Sequence, residues 1–177
     1  MKRSYVPVVK VFPSALNRRR GRLVAGGLLM NCALGRAGPT HHKREGDGAS
    51  PVGRFALLCG FYRADRLRRP STGLRLVPIR PTDGWCDDPS HPRYNTRVTL
   101  PFGASRERMW RDDHLYDLVL DIAWNRGPIV KGRGSAIFLH LARPGFAPTQ
   151  GCVAVEPRMA RRLLARVGRR TTIEIRG

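Results

Sequence analysis

The sequence predicts a mostly β domain, a β-sandwich or curled mixed sheet with one late α-helix at about residues 157–167. Three observations point there. Apolar residues make up 41% of the chain and recur in short, strand-length runs. Glycine and proline bound most of those runs. One stretch near the C-terminus keeps its apolar side chains on a single helical face. Many short strands with one late helix favour a β architecture over an alternating α/β fold. A chain of 177 residues suits one such domain with a sizeable core.

In chain order, residues 1–20 read as a basic N-terminal arm, with a single domain from 21 to 177. Within the arm, residues 5–12 hold β-branched side chains but are interrupted by Pro7 and ended by Pro13, which predicts an edge strand at best. Residues 23–25 and 28–34 read as a hairpin, because Gly26-Gly27 supplies the positive φ values of a tight primed turn. Residues 35–53 form a long loop, and Pro51 and Gly53 set its re-entry into a strand at 54–62. His41 and His42 lie in that loop without further ligands nearby and read as surface. Prolines make residues 63–90 mostly loop, with a short strand at 74–79.

Asp87 and Asp88 are adjacent carboxylates of the kind that cap turns. Ser105 reads as the N-cap of a short helix at 105–110. Residues 116–123 alternate, with Leu118, Leu120 and Ile122 on one face and Asp117 and Asp121 on the other, predicting a half-buried strand. His114 precedes that strand as a second, weaker base candidate, and Asn125 follows it in a turn. Pro157 opens the helix, Met159, Leu163, Leu164 and Val167 share its apolar face, and Gly168 ends it. A strand at 171–175 closes the domain.

Thirty-three lysines and arginines against thirteen acidic residues give a net charge of +20, which attracts polyanions. A nucleic-acid reader adds stacking aromatics or a recognition helix to its basic face. Neither pattern is present, so no nucleic-acid partner is expected. Cys32, Cys59, Cys86 and Cys152 have no Cys-x-x-Cys spacing, so a structural zinc site is not expected. The cysteine count allows one disulfide at most beside a reactive Cys152, or three buried thiols. No apolar run is long enough to span a membrane. Residues 23–34 follow a basic cluster but are interrupted by Gly26, Gly27 and Asn31, so they read as hairpin rather than as a secretion signal.

The chemistry concentrates in residues 134–155. An apolar run at 136–141 ends on His140 and Leu141, a Pro- and Gly-rich loop follows at 143–148, and Thr149-Gln150-Gly151-Cys152 leads into a second β-prone run at 153–155. Neighbouring strands bridged by that loop bring thiol and imidazole together. The thiolate is the nucleophile, and a histidine that takes its proton activates it. Gly151 lets a substrate carbonyl approach the main chain, where the Cys152 N–H can hold an oxyanion. Taken singly, a cysteine and a histidine are more often core residues than a catalytic pair.

At these residues the chain resembles the L,D-transpeptidase catalytic domain, the YkuD-like family, whose members carry a histidine after an apolar strand and then a Ser-His-Gly-Cys-type motif. His140, Thr149, Gln150, Gly151 and Cys152 are the counterparts. Ser50-Pro51-Val52-Gly53-Arg54-Phe55 looks like the family's Thr-Pro-x-Gly-x-Phe segment. The likeness runs by pattern from about Arg22 to Ile175. Gln150 replaces a common second histidine, Ala154 a common arginine or asparagine, and the loop between His140 and Cys152 is short, which implies a trimmed rim.

The resemblance implies a β-sandwich-like core and a cysteine acyltransferase acting on peptidoglycan stem peptides. Its catalytic residues would be Cys152, His140, Gly151 and the main-chain carbonyl of Leu141. Its substrate contacts would be Thr149, Gln150, Arg143 and Ser135, with Lys43, Arg44 and Asp47 near the groove, and the residues of the Pro-rich loop themselves suggest Trp85 or Tyr94 as a sugar or peptide contact at the groove edge. It implies no metal or organic cofactor, a monomer, and a periplasmic or envelope location, although no clear export signal is visible. Hydrolysis of the same intermediate, or a non-catalytic basic module that binds anionic polymer, are the alternatives.

Overall fold

A computed structural model describes residues 5–177. In chain order its elements are β1 (Val8–Pro13), β2 (Arg20–Ala25), β3 (Leu28–Ala33), β4 (Pro39–Thr40), β5 (Ser50–Pro51), β6 (Gly53–Tyr62), β7 (Leu76–Pro78), β8 (Asp83–Cys86), β9 (Arg97–Thr99), β10 (Arg106–Arg108), β11 (Leu118–Ile122), β12 (Phe138–Leu141), β13 (Val153–Val155), α1 (Pro157–Leu164) and β14 (Thr172–Ile175). The mostly β expectation holds.

Nine strands form one mixed sheet in the order β11-β12-β13-β3-β2-β1-β14-β6-β7, and β11 also pairs with β6. That extra pairing closes the sheet on itself and leaves β7, paired only with β6, as its edge. Strand β6 makes the closure by serving three partners, with β7 alongside its last residues. Its first residues pair with β14, as in Phe55 with Ile173, and its last with β11, as in Tyr62 with Leu118. The interior is filled by Val9, Val11, Leu23, Met30, Leu120, Ile122, Val153, Val155, Ile173 and Ile175, all buried.

Helix α1 adds Ala160, Leu163 and Leu164 to that core. Pro157 sits in its first turn, where no intrahelical N–H is needed, and Arg161 and Arg162 sit in its last turn, facing the negative end of the helix dipole. A separate antiparallel sheet, β10-β8-β9, lies beside the barrel. Its Trp85 ring meets Phe138 of β12 edge-on at 5.0 Å and joins the two bodies.

Four expectations change. Strand β1 is interior, not an edge: it pairs with β2 and β14, and its flanking Pro7 and Pro13 fall outside or at the end of the ladder. Residues 8–13 therefore belong to the domain rather than to a basic arm, of which residues 1–4 lie outside the described region. Residues 106–108 form strand β10, not a helix, because Arg106 and Glu107 pair with Cys86 and Trp85. Tertiary pairing overrides the capping signal of Ser105.

Strand β11 is buried on both faces, not half-buried. It lies between β12 and β6, and the buried carboxylates on and just before it have partners inside: Asp121 accepts two bonds of 2.8 Å from Arg126, and Asp117, ahead of the strand, accepts one of 2.7 Å from Arg66. His114 bonds Asp117 at 2.8 Å and points otherwise to solvent.

Candidate active site

The register of β12 and β13 places the side chains of Cys152 and His140. These strands are parallel, with Leu139 opposite Val153 and His140 opposite Ala154. Extending that register by one residue sets Cys152 opposite Phe138, two positions from His140 and on the same face of the sheet. The intervening loop has to cross back over the sheet end, as a parallel pair requires. It carries the turn Pro144–Phe146.

The loop's conformation is fixed at Thr149. Its hydroxyl donates to the Cys152 carbonyl at 2.7 Å and accepts from the Gly151 N–H at 3.1 Å. Ser50 reaches the same carbonyl at 3.4 Å, and its oxygen accepts the Gly35 N–H at 2.9 Å. The Ser-Pro-x-Gly-x-Phe segment and the Gly-Cys segment thus meet at one main-chain oxygen. Gly151 has φ 137°, and a β-carbon there would lie 2.8 Å from the Ala49 carbonyl oxygen. Only glycine passes there without strain.

Cys152 and His140 both line one cavity of about 400 Å³. The Cys152 S–H donates to the Ala136 carbonyl at 3.3 Å, and its sulfur accepts the Phe138 N–H at 3.3 Å. His140 Nδ1 bonds the Leu141 carbonyl at 2.8 Å. A carbonyl only accepts, so Nδ1 carries the proton and Nε2 holds the lone pair of a base.

Both groups rest neutral. Burial pushes the Cys152 thiol up to about 12, Glu107 adds to that rise, and the Phe138 N–H works against it. Burial pulls His140 down to about 4, opposed by the Leu141 carbonyl. Desolvation dominates in each case because it penalises the charged form. The neutral thiol and the neutral imidazole line the same cavity, with the S–H bonded to Ala136 rather than to the ring, so a sulfur attacking from this state would have to give up its proton as it did so.

The cavity wall is charged where the floor is apolar. Glu45, Asp87, Glu107, Arg111 and Arg143 line it together with Tyr116. Burial raises Glu107, whose carboxylate accepts the Tyr116 hydroxyl at 2.8 Å and faces Arg111 at 3.4 Å. Arg111 is fixed in turn by two bonds to Asp113, at 2.9 and 2.6 Å. The Tyr116 ring meets His140 edge-on at 5.3 Å and holds the imidazole in place.

Of the expected substrate-contacting residues, Thr149, Gln150, Arg143 and Ser135 line the cavity. Gln150 accepts from Arg36 Nε at 3.0 Å, and Ser135 donates to Glu45 at 2.7 Å. Trp85 and Tyr94 do not stand at a groove edge: they are 2% and 1% exposed and lie behind the wall. The Trp85 N–H donates to Asn95 at 3.1 Å, while the Tyr94 hydroxyl bonds Glu45 and accepts the Gly134 N–H at 2.9 Å. Lys43, expected near the groove, is buried against Asp47.

Glu45, Glu107, Arg111 and Tyr116 were not singled out for the site from sequence, and no local motif marks them. All four cysteines are free thiols. Among the described residues no cluster of three or more His, Cys, Asp or Glu could hold a metal ion, and no helix is long and apolar enough to cross a membrane.

Comparison with known proteins adds to this geometry. No curated protein matches by sequence. Two solved structures from Mycobacterium tuberculosis are similar. L,D-transpeptidase 1 is 12% identical at a TM-score of 0.43, with 96% of this chain and 62% of that one covered. L,D-transpeptidase 3, solved with a faropenem-derived adduct, is 13% identical at 0.43, with 96% and 60% covered. The chain thus spans about three-fifths of the length of these structures. The family model of the L,D-transpeptidase catalytic domain, YkuD, matches residues 13–175, and the chain belongs to that family of enzymes.

Proposed function

We propose that the chain is a cysteine-dependent L,D-transpeptidase acting on peptidoglycan stem peptides in the periplasm or cell envelope. The observation that carries this reading is that a thiol just before β13 and a neutral imidazole on its parallel neighbour β12 line one cavity.

In the first half-reaction the Cys152 sulfur attacks the carbonyl of the third residue of a donor tetrapeptide. Its proton passes to His140 Nε2, and a C–S bond forms as negative charge gathers on the carbonyl oxygen. The Gly151 N–H is already committed to Thr149, so the Cys152 N–H is assigned to that oxygen. Collapse breaks the C–N bond, and the His140 proton goes to the departing amine of D-alanine.

In the second half-reaction His140 Nε2 accepts a proton from the acceptor amine as its nitrogen attacks the thioester. The C–S bond breaks, the amide forms, and the proton returns to sulfur. Arg143, exposed on the rim, suits a stem carboxylate, for which a guanidinium offers two parallel bonds.

Mass spectrometry on purified muropeptides tests the reading. The chain should acquire the mass of an acyl group at Cys152 and yield cross-linked dimers or exchanged D-amino acids. Cys152→Ala should yield none, a loss of at least ~10³-fold, with the melting temperature retained. Shortened stems alone would identify a hydrolase. Activity surviving Cys152→Ala would end the proposal.

A further inference from the structure

The sulfur's two hydrogen-bond partners come from one short segment, residues 136–138, and that segment is held from outside by side chains the reaction does not use. Ala136 has φ 51°, a left-handed conformation that an alanine adopts only under constraint. Its N–H donates to Asn95 Oδ1 at 3.1 Å, and its carbonyl accepts the Cys152 S–H at 3.3 Å. Two neighbours are tied as well, the Gly134 N–H to the Tyr94 hydroxyl at 2.9 Å and the Ser135 hydroxyl to Glu45 at 2.7 Å.

Asn95 is itself fully committed. It is 1% exposed. Its Oδ1 also accepts the Trp85 indole N–H at 3.1 Å, and its Nδ2 donates to the Trp124 and Asn125 carbonyls at 3.2 and 3.0 Å. Arg126 donates to the main-chain carbonyl of Asn95 at 2.8 Å. Four such bonds saturate a carboxamide and leave it a single orientation. Asn95 lies between β8 and β9, so it ties the three-stranded sheet to the backbone that holds the sulfur.

We propose that Asn95 is a positioning residue for Cys152, acting through Ala136: it holds the Ala136 carbonyl where it orients the S–H on the cavity floor. The inference rests on Cys152 being the nucleophile. Without the Oδ1 acceptor, Ala136 relaxes toward an ordinary φ, its carbonyl swings away, and the sulfur loses its fixed approach to a bound donor.

The test uses the full chain with Asn95→Gly, Asn95→Asp and Tyr94→Phe. Glycine accepts the positive φ of Asn95 but has no side chain. Aspartate keeps the oxygen acceptor and turns a carboxylate toward two carbonyls. Asn95→Gly should lower kcat for thioester formation at least ~30-fold with KM within ~3-fold, the pattern of a misplaced reacting atom. Asn95→Asp should stay within ~5-fold of the wild type in kcat while melting below Asn95→Gly.

Tyr94→Phe removes one neighbouring anchor, keeps the ring, and should lower kcat ~3- to 10-fold at unchanged KM. It carries the test if Asn95→Gly does not fold. Losses in kcat that follow melting temperature across the variants, or full activity in Asn95→Gly, would overturn the proposal.

Alkylation of Cys152 by iodoacetamide against pH needs no donor and separates the two readings. A wild type that is alkylated but never forms a thioester would sink acyl transfer alone. The midpoint of that profile should still fall in Asn95→Gly, where the carbonyl no longer faces the sulfur, and not in Asn95→Asp. An unmoved midpoint in Asn95→Gly counts against positioning.

Discussion

The floor and the wall of the cavity treat charge in opposite ways. On the floor, β12 and β13 bury Cys152 and His140 against apolar neighbours, and burial is the first cause of both pKa shifts, up to about 12 and down to about 4. On the wall, Arg111 is bound to Asp113 and Glu107, and hydrogen bonding to Asp113 is the first cause of its upward shift. Desolvation on one side selects a neutral pair. Paired charges on the other keep fixed ions beside it. A thiolate–imidazolium pair in the resting enzyme would need the floor to resemble the wall.

The largest effect should come from removing the proposed base, His140. His140→Gln keeps a polar side chain of similar reach but no lone pair suited to take the thiol proton. Thioester formation should fall by ~10²–10⁴-fold, the usual contribution of general base catalysis. The alkaline limb of Cys152 alkylation should persist, because hydroxide then does the work of the imidazole. A loss below ~10-fold would mean that some other group takes the proton. Glu107 would be the first to examine, since it faces the same cavity and is raised by burial.

The floor was far more legible in the sequence than the wall. Cys152 and His140 sit on a contiguous motif with strand-forming residues on both sides, so local pattern and spacing bring them together. The Ser50 segment was legible only through resemblance, yet it meets Cys152 at the same carbonyl. Glu107 and Arg111 arrive on and after a strand that local capping signals had made a helix, and only its pairing with β8 turns them toward the cavity. Trp85 and Tyr94 show the reverse error. Aromatic residues in a Pro-rich loop suggested sugar or peptide contacts, but the loop folds into a sheet that buries both rings behind the wall. Barrel closure was invisible because it depends on one long strand pairing with β14 at its start and with β11 further along. Nothing in a local window specifies that.

A smaller change sharpens the comparison by straining the floor without altering its charge. In Gly151→Ala the new β-carbon would meet the Ala49 carbonyl at 2.8 Å and Ile137 at 3.2 Å, at a φ of 137°. Stability should drop by about 1–3 kcal/mol, measurable by urea denaturation. Because Gly151 and Cys152 share the turn fixed by Thr149, thioester formation should slow by ~10-fold or more while the His140-dependent pH behaviour stays as in the wild type. A Gly151→Ala variant that is fully stable would mean that the loop relaxes freely and that the floor is less fixed than its hydrogen bonds indicate.

The smallest expected effect is a near absence of one, and it decides between a neutral and an ionic resting pair. His140 is held down at about 4 and Cys152 up at about 12, so neither changes protonation between pH 5.5 and 8.5. With the acceptor amine left out, the rate of thioester formation should vary less than ~3-fold across that window. The sign below it follows from His140: as pH falls toward about 4 the imidazole gains a proton, loses its lone pair, and the rate declines. An ordinary histidine would place that decline near 6.5. A resting ion pair would instead give a bell within the window, its limbs set by a depressed thiol and a raised imidazole. Stopped-flow mass spectrometry of the acyl-enzyme over pH 4–9 distinguishes the two, and a bell centred near neutrality would show that desolvation does not govern the floor.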